Sequence, residues 1–194
     1  MTENTVNRVI VGISGASGGE LALEVLRQLR LWSDAELHVI VTESGETTLK
    51  YETGKDLSGL IRYADKVYSG RDMSAPPASG SLTTLGMVVV PCSMKTLAGI
   101  VTGYCDNLLL RAADVTLKER RKLILVPREC PFSTIHLRNM TAASELGAVI
   151  MAPVPAYYSF PCSIDDVNRF IAGKIIGHLG YENDLIEEWN GTTR

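Results

Sequence analysis

The residues with the most chemistry in this chain follow one apolar run. In Gly86-Met-Val-Val-Val-Pro91-Cys92, the run ends in proline, and Ser93, Met94, Lys95 and Thr96 come next, followed by a helix-like apolar pattern. A buried strand that delivers two hydroxyls and an ammonium to a helix N-terminus is suited to an anion, because free N–H groups and the positive end of the helix dipole point outward there. The plainer reading makes Ser93 a helix cap with two solvated neighbours.

Three more segments place reactive side chains after apolar runs. Gly12-Ile-Ser14-Gly15-Ala16-Ser17-Gly18-Gly19 has glycines at 12, 15 and 18, which is neither dinucleotide spacing nor a Walker loop. It reads as a phosphate or flavin cradle, or as a tight strand-to-helix turn. Glu43 ends the next apolar run, where a nicotinamide dinucleotide site carries an acid, so that ligand stays open at this point. Arg128 and Glu129 stand between Pro127 and Pro131. Arginine grips phosphates and carbonyls bidentately and glutamate moves protons, unless the two form a surface ion pair. Tyr157 and Tyr158 follow Pro153-Val-Pro-Ala and either line an apolar pocket or fill the core. No Ser-His-Asp order or nucleophile elbow is present.

The elements that must position these residues alternate. Strands are expected at Arg8–Ile13, 36–42, 87–90, 122–127 and 148–151. Helices are expected at about 18–32, 44–53 with Ser44 as cap, just after Ser93, 107–119, 133–146, and 164–179 capped by Ser163 or Asp165. Residues 54–85 are less regular, and Ala75-Pro-Pro-Ala-Ser-Gly-Ser81 is a loop. Unbroken apolar strands separated by helices predict an α/β Rossmann-like sandwich, mostly parallel, with helices on both faces. One domain is expected over residues 1–194, with its core at about 8–180 and a tail at 181–194. Ligands of such folds sit beyond the carboxyl ends of strands, where every cluster above falls.

Hydrophobic residues make up 45% and charged residues 21%, and the formal net charge is −3. That balance, with no basic run, argues against a nucleic-acid partner. The first residues lack the layout of a signal peptide, and no apolar stretch approaches the ~20 residues of a membrane span. Cytoplasmic residence is the expectation. Cys92, Cys105, Cys130 and Cys162 lack Cys-x-x-Cys spacing and His38, His136 and His178 are scattered, so neither disulfides nor a metal site is expected.

Taken in order, Gly-Ile-Ser-Gly-Ala-Ser-Gly, Pro-Pro-Ala-Ser-Gly-Ser, Pro-Cys-Ser-Met-Lys-Thr, Arg-Ala-Ala-Asp-Val-Thr-Leu-Lys-Glu-Arg-Arg and Val-Pro-Arg-Glu resemble the UbiX/Pad1 family of flavin prenyltransferases, of the HFCD-like flavoproteins. The likeness spans about Arg8 to Gly180. It implies FMN as prenyl acceptor and a dimethylallyl phosphate as donor, with bonds formed at flavin N5 and then C6. It implies prenylated FMN as product, a UbiD-type decarboxylase as recipient, no metal, and a dodecamer. By resemblance Gly15, Ala16, Ser17, Thr42, Ser93, Met94, Lys95, Thr96 and Arg128 contact FMN. Ser17, Glu52, Lys118 and Glu129 take catalytic roles. Lys118, Arg128, Glu129, Tyr158 and Lys174 form the prenyl-phosphate site, some of them from a neighbouring subunit.

The chain departs from the pattern at three places. Met73 stands where some relatives carry tryptophan, Lys174 where a phosphate-binding arginine is common, and Ser159-Phe160 replaces a more polar pair. Lysine keeps the charge but not the bidentate fork. Two other readings compete. An FMN-dependent cysteine decarboxylase needs a histidine near the first helix and a Pro-Ala-Ser-Ala-Asn-Thr loop, and both are missing. A non-catalytic FMN carrier would not need Lys118, Glu129 and Tyr158, which are present.

Overall fold

A computed structural model describes residues 7–187 and 191. Its strands are β1 (Arg8–Ile13), β2 (Glu36–Val41), β3 (Lys66–Ser69), β4 (Gly86–Cys92), β5 (Lys122–Pro127) and β6 (Val149–Ile150). The helices are α1 (Gly19–Trp32), α2 (Glu43–Thr53), the single turn α3 (Leu57–Leu60), α4 (Met94–Thr102), α5 (Leu108–Lys118), α6 (Thr134–Glu145) and α7 (Ile164–Leu179). The strands form one sheet in the order β3-β2-β1-β4-β5-β6, and every pairing is parallel.

The apolar strands are buried on both faces, which is why they read as runs rather than alternations. Val9, Val11 and Ile13 pack with Leu23 and Leu26 of α1 and Ile171 and Ile175 of α7. Ile10, Met87 and Val89 pack on the other face with Leu97 of α4 and Leu109 of α5. Helices α1 and α7 lie against one another, and α2 borders α1. The tail turns back on α7, where Asn183 Nδ2 donates to the Gly173 carbonyl (3.2 Å). A Cβ on Gly173 would come within 2.8 Å of Leu185 Cβ, so the glycine admits that segment. Residues 188–190 and 192–194, like most of the N-terminal stretch read above, lie outside the described residues.

Several expectations shift. Strand β3 and turn α3 lie within the stretch read as irregular, and a 3-10 turn at Pro76–Ala78 interrupts the expected loop. Thr42, not Ser44, caps α2, its Oγ1 accepting the Gly45 N–H at 3.0 Å. Ser44 sits one residue inside the helix. Ser163 caps α7 in a box with Asp166, and Asp165 takes no part in it. Strand β4 runs to Cys92, with a register shift between Val89 and Cys92. That shift brackets Pro91, which has no N–H for the ladder.

One buried titratable group is set by the fold alone. His38 on β2 is 3% exposed. Its Nδ1 bonds to the Tyr68 hydroxyl at 3.0 Å. Its Nε2 lies 3.4 Å from Glu36 Oε1 and makes no hydrogen bond among the described residues. Burial lowers its pKa, against the opposing pull of Glu36. Between the ordinary value of about 6.5 and the lowered one, the unfolded chain binds a proton that the native state refuses. Stability therefore falls as pH drops through that window, and this group adds no slope above it. The variant His38→Gln is expected to show a shallower loss of Tm between neutral pH and mild acid. Thermal melts across that range check it, and an unchanged slope assigns the acid sensitivity elsewhere.

Candidate functional site at the parting of β1 and β4

Strand order reverses between β1 and β4, and in open α/β sheets the crevice opens at that reversal, beyond the carboxyl ends. Two loops leave from there. Ser14 to Gly18 carries the chain from β1 into α1, and Ser93 carries it from β4 into α4.

The first loop is built from small residues for steric reasons. A Cβ on Gly15 would come within 2.4 Å of Ser44 Cβ, so α2 rests directly on this loop. The Ala16 N–H donates to the Ser14 carbonyl at 3.0 Å. Gly18 turns the chain into α1 at φ +131°, a conformation side chains disfavour. Gly18 offers α1 no side-chain cap. Glu52, in the last turn of α2, supplies one from outside. Its Oε2 accepts the Gly18 N–H at 3.0 Å and the Gly19 N–H at 2.7 Å.

Glu52 also accepts from the Ser17 hydroxyl. Burial pushes its pKa up, but the Ser17, Gly18 and Gly19 hydrogen bonds and the Arg128 charge together hold it below the usual carboxylate value. Arg128 enters from the end of β5. Its N–H donates to the Cys92 carbonyl at 3.2 Å, and its Nε donates to the Ser17 carbonyl at 3.2 Å. Ser17, Glu52 and Arg128 thus meet at one point, although 76 positions separate Glu52 from Arg128 by number. Arg128 does not pair with Glu129, so the ion-pair reading of those two is set aside. Glu129 Oε1 accepts the Cys130 N–H at 3.1 Å.

The second loop keeps its helix end open. Ser93 Oγ caps α4 by accepting the Thr96 N–H at 3.2 Å, and it donates to Thr96 Oγ1 at 3.0 Å. The Met94 and Lys95 N–H groups, in the first turn, meet no acceptor among the described residues. The Lys95 ammonium is well exposed and points to Asp106 at 3.8 Å. At Lys95 it is therefore the backbone N–H, not the ammonium, that stands among the open donors of the α4 end. The Thr42 hydroxyl is occupied as an acceptor by its capping bond. Glu43, in the first turn of α2, is paired with Arg71 at 2.6 Å, so its carboxylate is not an open ribose ligand.

The remaining expected residues lie elsewhere on the chain. Lys118 ends α5, pairs with Glu119, and would touch a Cβ on Gly80 at 3.2 Å. It precedes the start of β5, while Arg128 follows its end. The strand's six residues put roughly 16 Å of extended backbone between those ends. Tyr157 and Tyr158 are 80% and 51% exposed, so neither fills the core. Tyr158 meets Phe170 edge-on, with ring centroids 6.2 Å apart. Lys174 also sits over that ring, its Nζ 5.6 Å from the centroid. Met73 is exposed. Spacing offered no sign of the Glu52 cap, and the only hint of the Ser14 contacts was a hydroxyl directly after an apolar strand.

Residues 1–175 match the family model described as Flavoprotein, and the chain belongs to that family. Within it, the chain is a UbiX/Pad1 family member. It is 47% identical over 188 residues to "Flavin prenyltransferase UbiX" of Escherichia coli strain K12, covering 96% of this chain and all of that one. The solved structure of AnUbiX (PadA1) in complex with FMN and dimethylallyl pyrophosphate matches with a TM-score of 0.92 and 46% identity, over 97% of this chain and 100% of that chain. A dodecameric FMN-dependent UbiX-like decarboxylase from Escherichia coli O157:H7 matches with a TM-score of 0.91 and 43% identity, over 95% and 100%. The FMN-dependent cysteine decarboxylase SpaF shares the fold alone, at 15% identity and a TM-score of 0.62, over 75% and 83%.

The Glu52 cap is testable without any ligand. The variant Glu52→Ala leaves the Gly18 and Gly19 N–H groups at the start of α1 without their acceptor and is expected to lose about 1 kcal/mol of stability, read from denaturant midpoints. Because the folded pKa of Glu52 is lowered, its contribution is complete above the unfolded value of 4.5 and is lost as pH falls through the folded one.

Proposed function

We propose that this protein is a metal-independent flavin prenyltransferase that joins a dimethylallyl group from a dimethylallyl phosphate to reduced FMN. The observation that carries this reading is the crevice itself. Ser17, Glu52 and Arg128 meet the open N-terminus of α4 in a chain of the UbiX/Pad1 family. The lining fits FMN: the Met94 and Lys95 N–H groups, the Thr96 hydroxyl proton and the Arg128 guanidinium as donors, the Ser17 and Ser93 hydroxyl oxygens as acceptors, and the Thr42 region beside them. Close-packed glycine at Gly15 and buried Ala16 floor the site on the β1 side.

Bound, reduced FMN supplies a nucleophilic N5 and a second bonding position at C6. The chain's own residues handle charge and protons. The allylic C–O bond breaks with its electron pair leaving on the phosphate. Arg128 and Lys118 stabilise that developing charge in a preorganised site. The Tyr158 hydroxyl donates to the phosphate, and Lys174 adds a point charge without a fork. Glu129, on the same loop as Arg128, takes up or relays the proton released at the flavin. Glu52 holds Ser17 at the reacting centre.

Lys118 lies at the amino ends of the strands and Arg128 at the carboxyl ends, so one chain does not bring both to one phosphate. A neighbouring copy in an oligomer, dodecameric by analogy with the UbiX-like relative, supplies Lys118. The product, prenylated FMN, passes to a UbiD-type decarboxylase. Among the described residues no helix is long and apolar enough to cross a membrane, and the reading places the enzyme in the cytoplasm.

Anaerobic incubation with reduced FMN and dimethylallyl phosphate is expected to give a flavin heavier by one prenyl unit. Mass spectrometry that returns only unmodified FMN overturns this reading in favour of a carrier. Glu129→Gln is expected to retain FMN and to slow transfer by about 10²-fold; single-turnover kinetics check it. Lys118→Met and Arg128→Met are each expected to be inactive alone and partly active when co-assembled. Co-assembly without recovery means that the sites are not shared between copies.

A further inference from the structure

Ser14 follows β1 directly and is 1% exposed. Its Oγ donates to the Pro91 carbonyl at 2.8 Å and accepts the Ser93 N–H at 2.7 Å. Its own N–H donates to the same Pro91 carbonyl at 3.3 Å. The last β1–β4 pair in register is Gly12 with Val89. Past that pair the two strands separate, and backbone groups on the β4 edge lose their ladder partners. Buried backbone groups left unpaired are costly, and Pro91 brings no N–H of its own. A hydroxyl can donate and accept at a single atom. Ser14 does both, one on each side of Cys92, and so ties the β4 edge to β1 where the ladder has ended.

This bond selects which groups face the crevice. The bond fixes the backbone of Ser93, whose Oγ caps α4 and after which the Met94 and Lys95 N–H groups have no acceptor among the described residues. The backbone of Ser14 also starts the turn through Gly15, Ala16 and Ser17. We infer that Ser14 is a positioning residue of the flavin site: its buried hydroxyl sets the separation between the Gly15–Ser17 loop and the N-terminus of α4. The inference rests on the reading of this crevice as the FMN site. Ser14 itself touches no reactant, because it is 1% exposed and its hydroxyl proton is used within the protein.

The test is FMN titration of the purified full-length protein, followed by flavin fluorescence and absorbance, with melting measured in parallel. Ser14→Ala is expected to weaken FMN by about tenfold. Its KM for FMN should rise while kcat at saturating FMN and KM for dimethylallyl phosphate stay near wild type. Ser14→Thr, which keeps the hydroxyl, is expected to recover most of the affinity. Ser14→Cys, close in size but a weak donor and acceptor, is expected to fall between them, and it serves as the test if the alanine variant does not fold. FMN affinity equal to wild type in Ser14→Ala, or in Ser14→Cys in that case, overturns the inference, even where Tm has dropped. Wild-type protein that fails to bind FMN overturns instead the reading of the crevice, and this inference with it.

Discussion

Two parallel strands cannot part inside a protein without leaving backbone groups to be satisfied. That constraint, at the carboxyl ends of β1 and β4, governs the rest of the molecule. The sheet order opens the crevice, and each loop that leaves it must find partners for its N–H and carbonyl groups. The chain meets most of that need itself, with the Ser14 hydroxyl on one side and the Glu52 carboxylate on the other. What the chain does not satisfy is what a ligand meets.

The electrostatics follow from the same division. Two helix N-termini face the crevice, each with positive dipole character. The protein's own carboxylate fills the one at α1, while the one at α4 keeps two donors open. Arg128 sits beside Glu52 and balances it, so the α1 side presents hydroxyl and guanidinium chemistry rather than a bare cationic end. An anion is therefore drawn to the α4 side. The sequence suggested anion binding at Ser93 and a cradle at Gly12–Gly19 with equal chemistry, and the structure separates them.

Much of this was legible beforehand, and the gaps have physical reasons. Fully buried strands such as β1 and β4 announce themselves as apolar runs. Strand β3 is half exposed, four residues long, and mixes Lys66 with Val67 and Tyr68, so its pattern is too weak to read. Thr42 and Ser44 are both hydroxyl residues near one helix start, and only geometry tells a cap from its neighbour two positions on. Spacing could not pair Ser14 with Pro91, 77 positions away. The family resemblance named Lys118 and Arg128 for one site with some of its residues from a neighbouring subunit, and the path of β5 shows that a single chain holds these two apart. Tyr157 and Tyr158 suggested core or pocket by type, and the chain leaves them on a surface flanking α7.

The contact between Gly15 and Ser44 has a consequence for ligand size. In folds with this strand order, a dinucleotide stretches across the crevice and reaches the end of β2 with its second half. Here the start of α2 lies against the β1 loop so closely that a single methyl group would not fit between them. Glu43, the acid at the place that elsewhere greets a ribose, is held by Arg71. That side of the crevice is thus filled with protein, which leaves no room there for the second half of a dinucleotide.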